Sequence, residues 1–188
     1  QELRIKHAKQ PEKFMESELE LDNTMKELAV LAVSPQLYPD FIALGSLGSL
    51  ISLLTHENTD IANDVVSLLS ELMDPFVISQ NEGAICLVEA FVDESGIDFL
   101  VAHMKRLDEK IEEESTGVYS ALSVIENIIE VFPKANELIM EKPELLAYLL
   151  DRIKSSPVEQ NQFYASEIMS ILLTYSDNVK ENFGKSKC

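Results

Sequence analysis

The sequence has no tryptophan, two cysteines, six glycines and seven prolines in 188 residues. Two cysteines, Cys86 and Cys188, cannot build a disulfide scaffold, and a reducing compartment fits them better. Scarce glycine and proline, together with the absence of alternating apolar–polar runs, argue against strands. Positive charge is also scarce: 15 Lys and Arg stand against 33 Asp and Glu, a formal charge of -18. Such a chain cannot neutralise a run of phosphates, so direct binding to nucleic acid is not expected. The same balance favours a basic partner, or simply a soluble surface. No run approaches the roughly 18 apolar residues of a membrane-spanning helix. Residues Gln1 to Lys13 are polar and lack the apolar core of a signal peptide. The sequence does not start with Met, which suggests a piece of a longer protein.

What is present is helix-forming material. Hydrophobic residues make up 46% and charged residues 26%, values of an ordinary folded chain. Apolar residues recur at spacings of three and four, the pattern of amphipathic helices. Ser17 and Glu20 have the spacing of a capping box, followed by Met25, Leu28, Ala29 and Ala32 on one face. Ser34-Pro35 ends that run, and a short helix is expected over 36–43, broken by Gly45. Further helices are predicted over 47–55, 59–72, 84–91, 97–107, 112–131, 135–140, 144–153 and 160–175. Thr59 is the expected cap of the second of these, and another helix should begin near 177–183.

The long helices superpose as a repeat. The segments starting at Val65, Ala121 and Ile168 align, at offsets of 56 and 47 residues. Each long helix follows a medium one, and each medium one a short one. A short–medium–long triplet near a period of about 40–47 residues is the armadillo or HEAT pattern. The predicted fold is therefore an all-α armadillo/HEAT-like solenoid of about three repeats with an N-terminal capping helix. Residues 1–15 form a basic arm, 16–44 the capping helices and the start of the first repeat, and 45–188 the repeats. Their approximate bounds are 35–75, 83–132 and 134–176, with a further repeat starting at 177–188. The long first offset implies an inserted loop around Phe76 to Glu82.

Solenoids present long surfaces to other proteins, and the third helix of each armadillo triplet lines the groove. The overlay makes Glu71, Asn127 and Thr174 equivalent, one polar ladder facing that groove. Asp74 and Glu130 come next along the same faces. Glu112 and Glu113 belong to the densest acidic cluster, with Glu109 and Glu114, at the start of a long helix. There they offset the helix dipole, and they could equally receive a Lys/Arg-rich segment. Glu126 and Tyr119 complete the candidate protein-binding set. No catalytic, cofactor or metal site is expected. His7, His56 and His103 lack any H-E-x-x-H spacing, and Cys86 has apolar neighbours that suit a core position.

Certain runs carry a resemblance. Pro11-Glu12-Lys13-Phe14-Met15-Glu16-Ser17-Glu18-Leu19 resembles the start of the armadillo region in the beta-catenin-like family. His56-Glu57-Asn58-Thr59-Asp60-Ile61, Arg106-Leu107-Asp108-Glu109 and Tyr164-Ala165-Ser166-Glu167-Ile168 resemble its successive repeats. The resemblance covers nearly the whole chain and implies its N-terminal portion. It implies a nuclear, non-enzymatic scaffold associated with the spliceosome and its ubiquitin-ligase complex, with basic, nuclear-localisation-like segments of splicing proteins as partners. It also implies self-association into a homodimer. The alternative is a capping and dimerisation module whose partners bind elsewhere in the longer protein. A nuclear-import groove would need a Trp-Asn ladder, and this sequence has no Trp.

Overall fold

The computed structural model describes residues 15–155 and 160–175, and among these all regular structure is helical. The elements are α1 (Met15–Leu28), α2 (Tyr38–Ala43), α3 (Ser46–Leu53), α4 (Thr59–Leu72), α5 (Pro75–Ser79) and α6 (Ile85–Asp93). They continue with α7 (Gly96–Met104), α8 (Glu112–Val131), α9 (Ala135–Met140), α10 (Pro143–Lys154) and α11 (Gln160–Tyr175). Short 3₁₀ turns at Ala29–Val33, Pro35–Leu37 and Glu82–Ala84 join some of them. No helix among the described residues is long and apolar enough to cross a membrane.

Three triplets follow one another: α2–α3–α4, α6–α7–α8 and α9–α10–α11. The long third helices pack side by side, α4 on α8 and α8 on α11, while α1 lies on the outer side of α4. Shorter helices form the other layer, with α3 against α6 and α7, and α7 against α10. This is an all-α armadillo-type arrangement in which each unit buries its apolar face on the next. On α4 the positions Ile61, Ala62, Val65, Val66, Leu68, Leu69 and Leu72 are all buried, a stripe repeating every three or four residues. The corresponding stripe of α8 runs from Val118 to Ile129. One apolar core is continuous from Met25 on α1 to Leu172 on α11.

Local chemistry sets the boundaries. Asn58, not Thr59, caps α4: its side chain accepts from the Asp60 amide at 3.1 Å. Asn58 has the extended backbone of a cap residue, φ -77 and ψ 112, whereas Thr59 is already the first helical residue. Gly45 adopts φ +70 and lets the chain reverse between α2 and α3. Ser95 takes the same left-handed conformation, φ 62, between α6 and α7, at a strain on the order of 1 kcal/mol.

Several sequence expectations need correction. The loop expected around Phe76 to Glu82 is mostly helical. The Asp74 carboxylate accepts from the amides of Phe76 and Val77, and Pro75 opens α5 with no amide to satisfy. Ser17 does not cap α1, because the helix already includes Met15. Met15 therefore belongs to α1 and not to the basic arm; the rest of that arm, and the helix expected near 177–183, lie outside the described residues. Cys86 is only partly buried, packed against the core from its edge.

A polar staple links the first two repeats beneath this layer. Arg106 donates to the carbonyls of Leu54 (3.1 Å) and His56, closing the turn before α4 onto the end of α7. His103, fully buried, sits 2.9 Å from Asn63 Oδ1 through Nε2 and 3.2 Å from the Arg106 guanidinium through Nδ1. Opposite Asn63, Gly117 of α8 leaves no room for a side chain: a Cβ there would lie 2.3 Å from Asn63 Oδ1.

Candidate protein-binding surface

The layer α1–α4–α8–α11 carries the predicted site residues other than Asp74. Carboxylates at Asp60, Asp64 and Glu71 stand on α4, and Glu112, Glu113, Glu114, Glu126 and Glu130 on α8. Glu167 stands on α11, and none of these three helices contains a Lys or Arg. The cations of the described residues lie elsewhere, several of them in ion pairs of the other layer. Lys142 pairs with Asp98 at 2.5 Å, Arg152 with Glu109 at 2.8 Å, and Lys105 with Glu144. Lys26 on α1 pairs with Asp22 at 2.6 Å, and that contact raises its pKa.

Grooves between neighbouring helices of the layer form cavities. The α1–α4 groove holds about 160 Å³ and is lined by Asp22, Lys26, Asp64, Ser67 and Glu71 among others. The α4–α8 groove holds about 550 Å³, lined by Asp60, Asn63, Asp64, Glu112, Glu113 and Thr116. Burial, with the negative charges of Asp22 and Asp60, raises the pKa of Asp64. The α8–α11 groove holds about 330 Å³, lined by Glu126, Ile129, Glu130, Ser170, Ile171 and Thr174. Tyr119 lies between the last two cavities along α8. It is 41% exposed and its ring is tilted against Tyr164, with centroids 4.9 Å apart. The Tyr164 hydroxyl donates to Glu126, and its pKa is raised, first by burial and then by this bond.

The predicted residues therefore separate. Glu71, Glu112, Glu113, Glu126 and Glu130 line the grooves, and Tyr119 is exposed on the same helix as four of them. Asn127 does not face a groove. It is buried, and its Nδ2 donates to the Ser70 carbonyl at 3.2 Å, beside a Ser70–Ser123 hydroxyl contact of 3.2 Å. A ladder of Glu71, Asn127 and Thr174 is therefore not formed. The buried stripes of α4 and α8 keep the same register at the 56-residue offset, so Asn127 does occupy the position of Glu71, but it is enclosed against Ser70 while Glu126 and Glu130 line the groove. Asp74 is the α5 cap described above and is occupied by backbone amides. Asp60 and Asp64 were not singled out from sequence, although their spacing, one turn apart on the face opposite the apolar stripe of α4, was there to be read.

Among the described residues no three or more of His, Cys, Asp and Glu are placed to hold a metal ion. His56 is buried, with Nδ1 accepting from the Asn58 amide at 3.1 Å, a structural role.

Comparison with known proteins agrees with this architecture. The family model described as "Catenin-beta-like, Arm-motif containing nuclear" matches residues 1–188. Beta-catenin-like protein 1 of Homo sapiens is 42% identical over 98% of this chain, a match covering 33% of that relative. The beta-catenin-like protein 1 homolog of Schizosaccharomyces pombe is 36% identical over 96% of the chain and 32% of its own length. The chain thus spans about a third of the length of these relatives. Taken with the stacked helical triplets, these matches show that the chain belongs to the catenin-beta-like, Arm-motif-containing family of nuclear proteins.

Proposed function

We propose that this part of the protein is a non-enzymatic scaffold that binds basic, nuclear-localisation-like segments of splicing-complex proteins along the α4–α8–α11 layer. The observation that carries the reading is charge segregation. Three adjacent helices hold acid without a single Lys or Arg, and their grooves are lined by carboxylates. A field of one sign over contiguous cavities attracts and orients an oppositely charged chain. The two larger cavities are separated by the α8 segment from Glu113 to Glu126, about 20 Å at the rise of an α-helix. An extended peptide of about six residues covers that length. Without indole rings, the surface holds such a segment by carboxylates and by Tyr119, so binding is salt-sensitive.

The test is fluorescence anisotropy of a labelled Lys/Arg-rich peptide at low and physiological salt. The combined variant Glu112→Gln, Glu113→Gln, Glu126→Gln and Glu130→Gln is the comparison. At a few tenths of a kcal/mol for each exposed carboxylate, the variant should bind about ten- to thirtyfold more weakly. Equal binding by the two proteins would overturn the reading.

A second reading has its own observation. Val30, Val33, Leu37 and Leu44 are exposed near the N-terminal end, with Met15 and Leu19 on α1. Under this reading the region caps the solenoid and pairs with a second copy. Sedimentation across a concentration range decides it: a strict monomer with unchanged mass would remove this reading.

A further inference from the structure

We infer that the cavity between the C-terminal halves of α8 and α11 is a subsite for one lysine side chain. The inference rests on the proposed function and specifies the partner's chemistry at one position. Three features of the cavity support it. First, its lining is mixed: Ile129, nearly buried, and Ile171, half-buried, form apolar wall, while Glu126 and Glu130 supply negative charge and Ser170 and Thr174 hydroxyls. A purely acidic patch would attract any cation. An apolar wall under a carboxylate rim suits a cation on a methylene stem, which buries the stem and leaves the head at the rim.

Second, Glu126 and Glu130 stand one turn apart on α8, an arrangement in which like charges disfavour each other. Neither helix lining the cavity provides a cation, and among the described residues neither carboxylate is in an ion pair. A bound ammonium would relieve that repulsion. Third, one carboxylate oxygen of Glu126 already accepts the Tyr164 hydroxyl. A lysine ammonium has three donors on a point charge and can be shared between the remaining Glu126 oxygen, Glu130 and a hydroxyl. The volume of about 330 Å³ has room for such a side chain.

Stem length separates this cavity from general charge attraction. A Lys-rich peptide is made with each lysine in turn replaced by ornithine and by 2,4-diaminobutyrate, charge being kept throughout. Binding is measured by anisotropy against the whole chain and against Ser170→Lys. This exposed-site change puts a resident cation at the rim, and circular dichroism checks its fold. At one peptide position each lost methylene should weaken binding about two- to fourfold, as partial to full burial of a methylene implies. Ser170→Lys should abolish the dependence. Binding that is indifferent to stem length at every position would overturn the lysine subsite while leaving the scaffold reading standing. Failure of every peptide to bind would overturn both.

Discussion

Replacing His103 with glutamine tests how the first two repeats are held together. His103 is fully buried, and both ring nitrogens have partners: Asn63 Oδ1 at Nε2 and the Arg106 guanidinium at Nδ1. Guanidinium can only donate, so Nδ1 must accept and the proton must sit on Nε2. The ring is thus neutral. Burial, and then the adjacent Arg106 charge, push its pKa down to about 4 from 6.5. An unfolded chain binds the proton more readily than the folded one between those values. Stability therefore rises with pH through this window: it is complete above about pH 6.5 and is lost as pH falls toward 4. At about 1.4 kcal/mol for each pH unit, the whole window is worth roughly 3 kcal/mol. Glutamine keeps a donor for Asn63 and an acceptor for Arg106 but does not titrate. Urea unfolding followed by circular dichroism from pH 7 to 4 should show wild type losing about 3 kcal/mol more than His103→Gln. Carboxylates titrate in both proteins and cancel in that difference. Parallel loss in the two chains, or an imidazole resonance titrating near 6.5, would refute the buried neutral assignment.

Other substitutions follow from single contacts. Gly117→Ala places a Cβ 2.3 Å from Asn63 Oδ1, so Asn63 must leave His103; thermal unfolding should show a loss of about 1–3 kcal/mol. Tyr38→Phe removes the buried hydroxyl that donates to the Leu72 carbonyl at 2.8 Å, and denaturant titration should show about 1 kcal/mol less stability. Asn127→Ala should lower stability by about 1–3 kcal/mol, because the Ser70 carbonyl loses its donor, yet leave peptide affinity unchanged in the anisotropy assay. Asp74→Ala deletes the α5 cap and should destabilise by about 0.5–2 kcal/mol, again without altering peptide binding.

Much of the fold was legible because apolar spacing is a local property. The bounds of α8 and α11 follow from periodicity and flanking breakers, and the triplet order follows from helix lengths. The errors fall where a polar side chain competes between roles. Asp74 has the sequence position of a groove residue, but two backbone amides follow it and its side chain turns back to them. Asn58 and Thr59 are both residue types that cap helices, and only backbone geometry chooses between such neighbours.

The sequence by itself determined an all-helical repeat chain and the acidity of its three long helices, since charge and periodicity are carried by the residues wherever they end up. Tertiary structure decided which of those polar residues remain available. Stacking α4 on α8 enclosed Asn127 in the seam, where burial demands a partner and Ser70 provides one, and left Glu126 and Glu130 at the rim of a cavity with α11. A difference of one position along a helix is a rotation of about 100°, and only the neighbour's surface says which side of that rotation is inside.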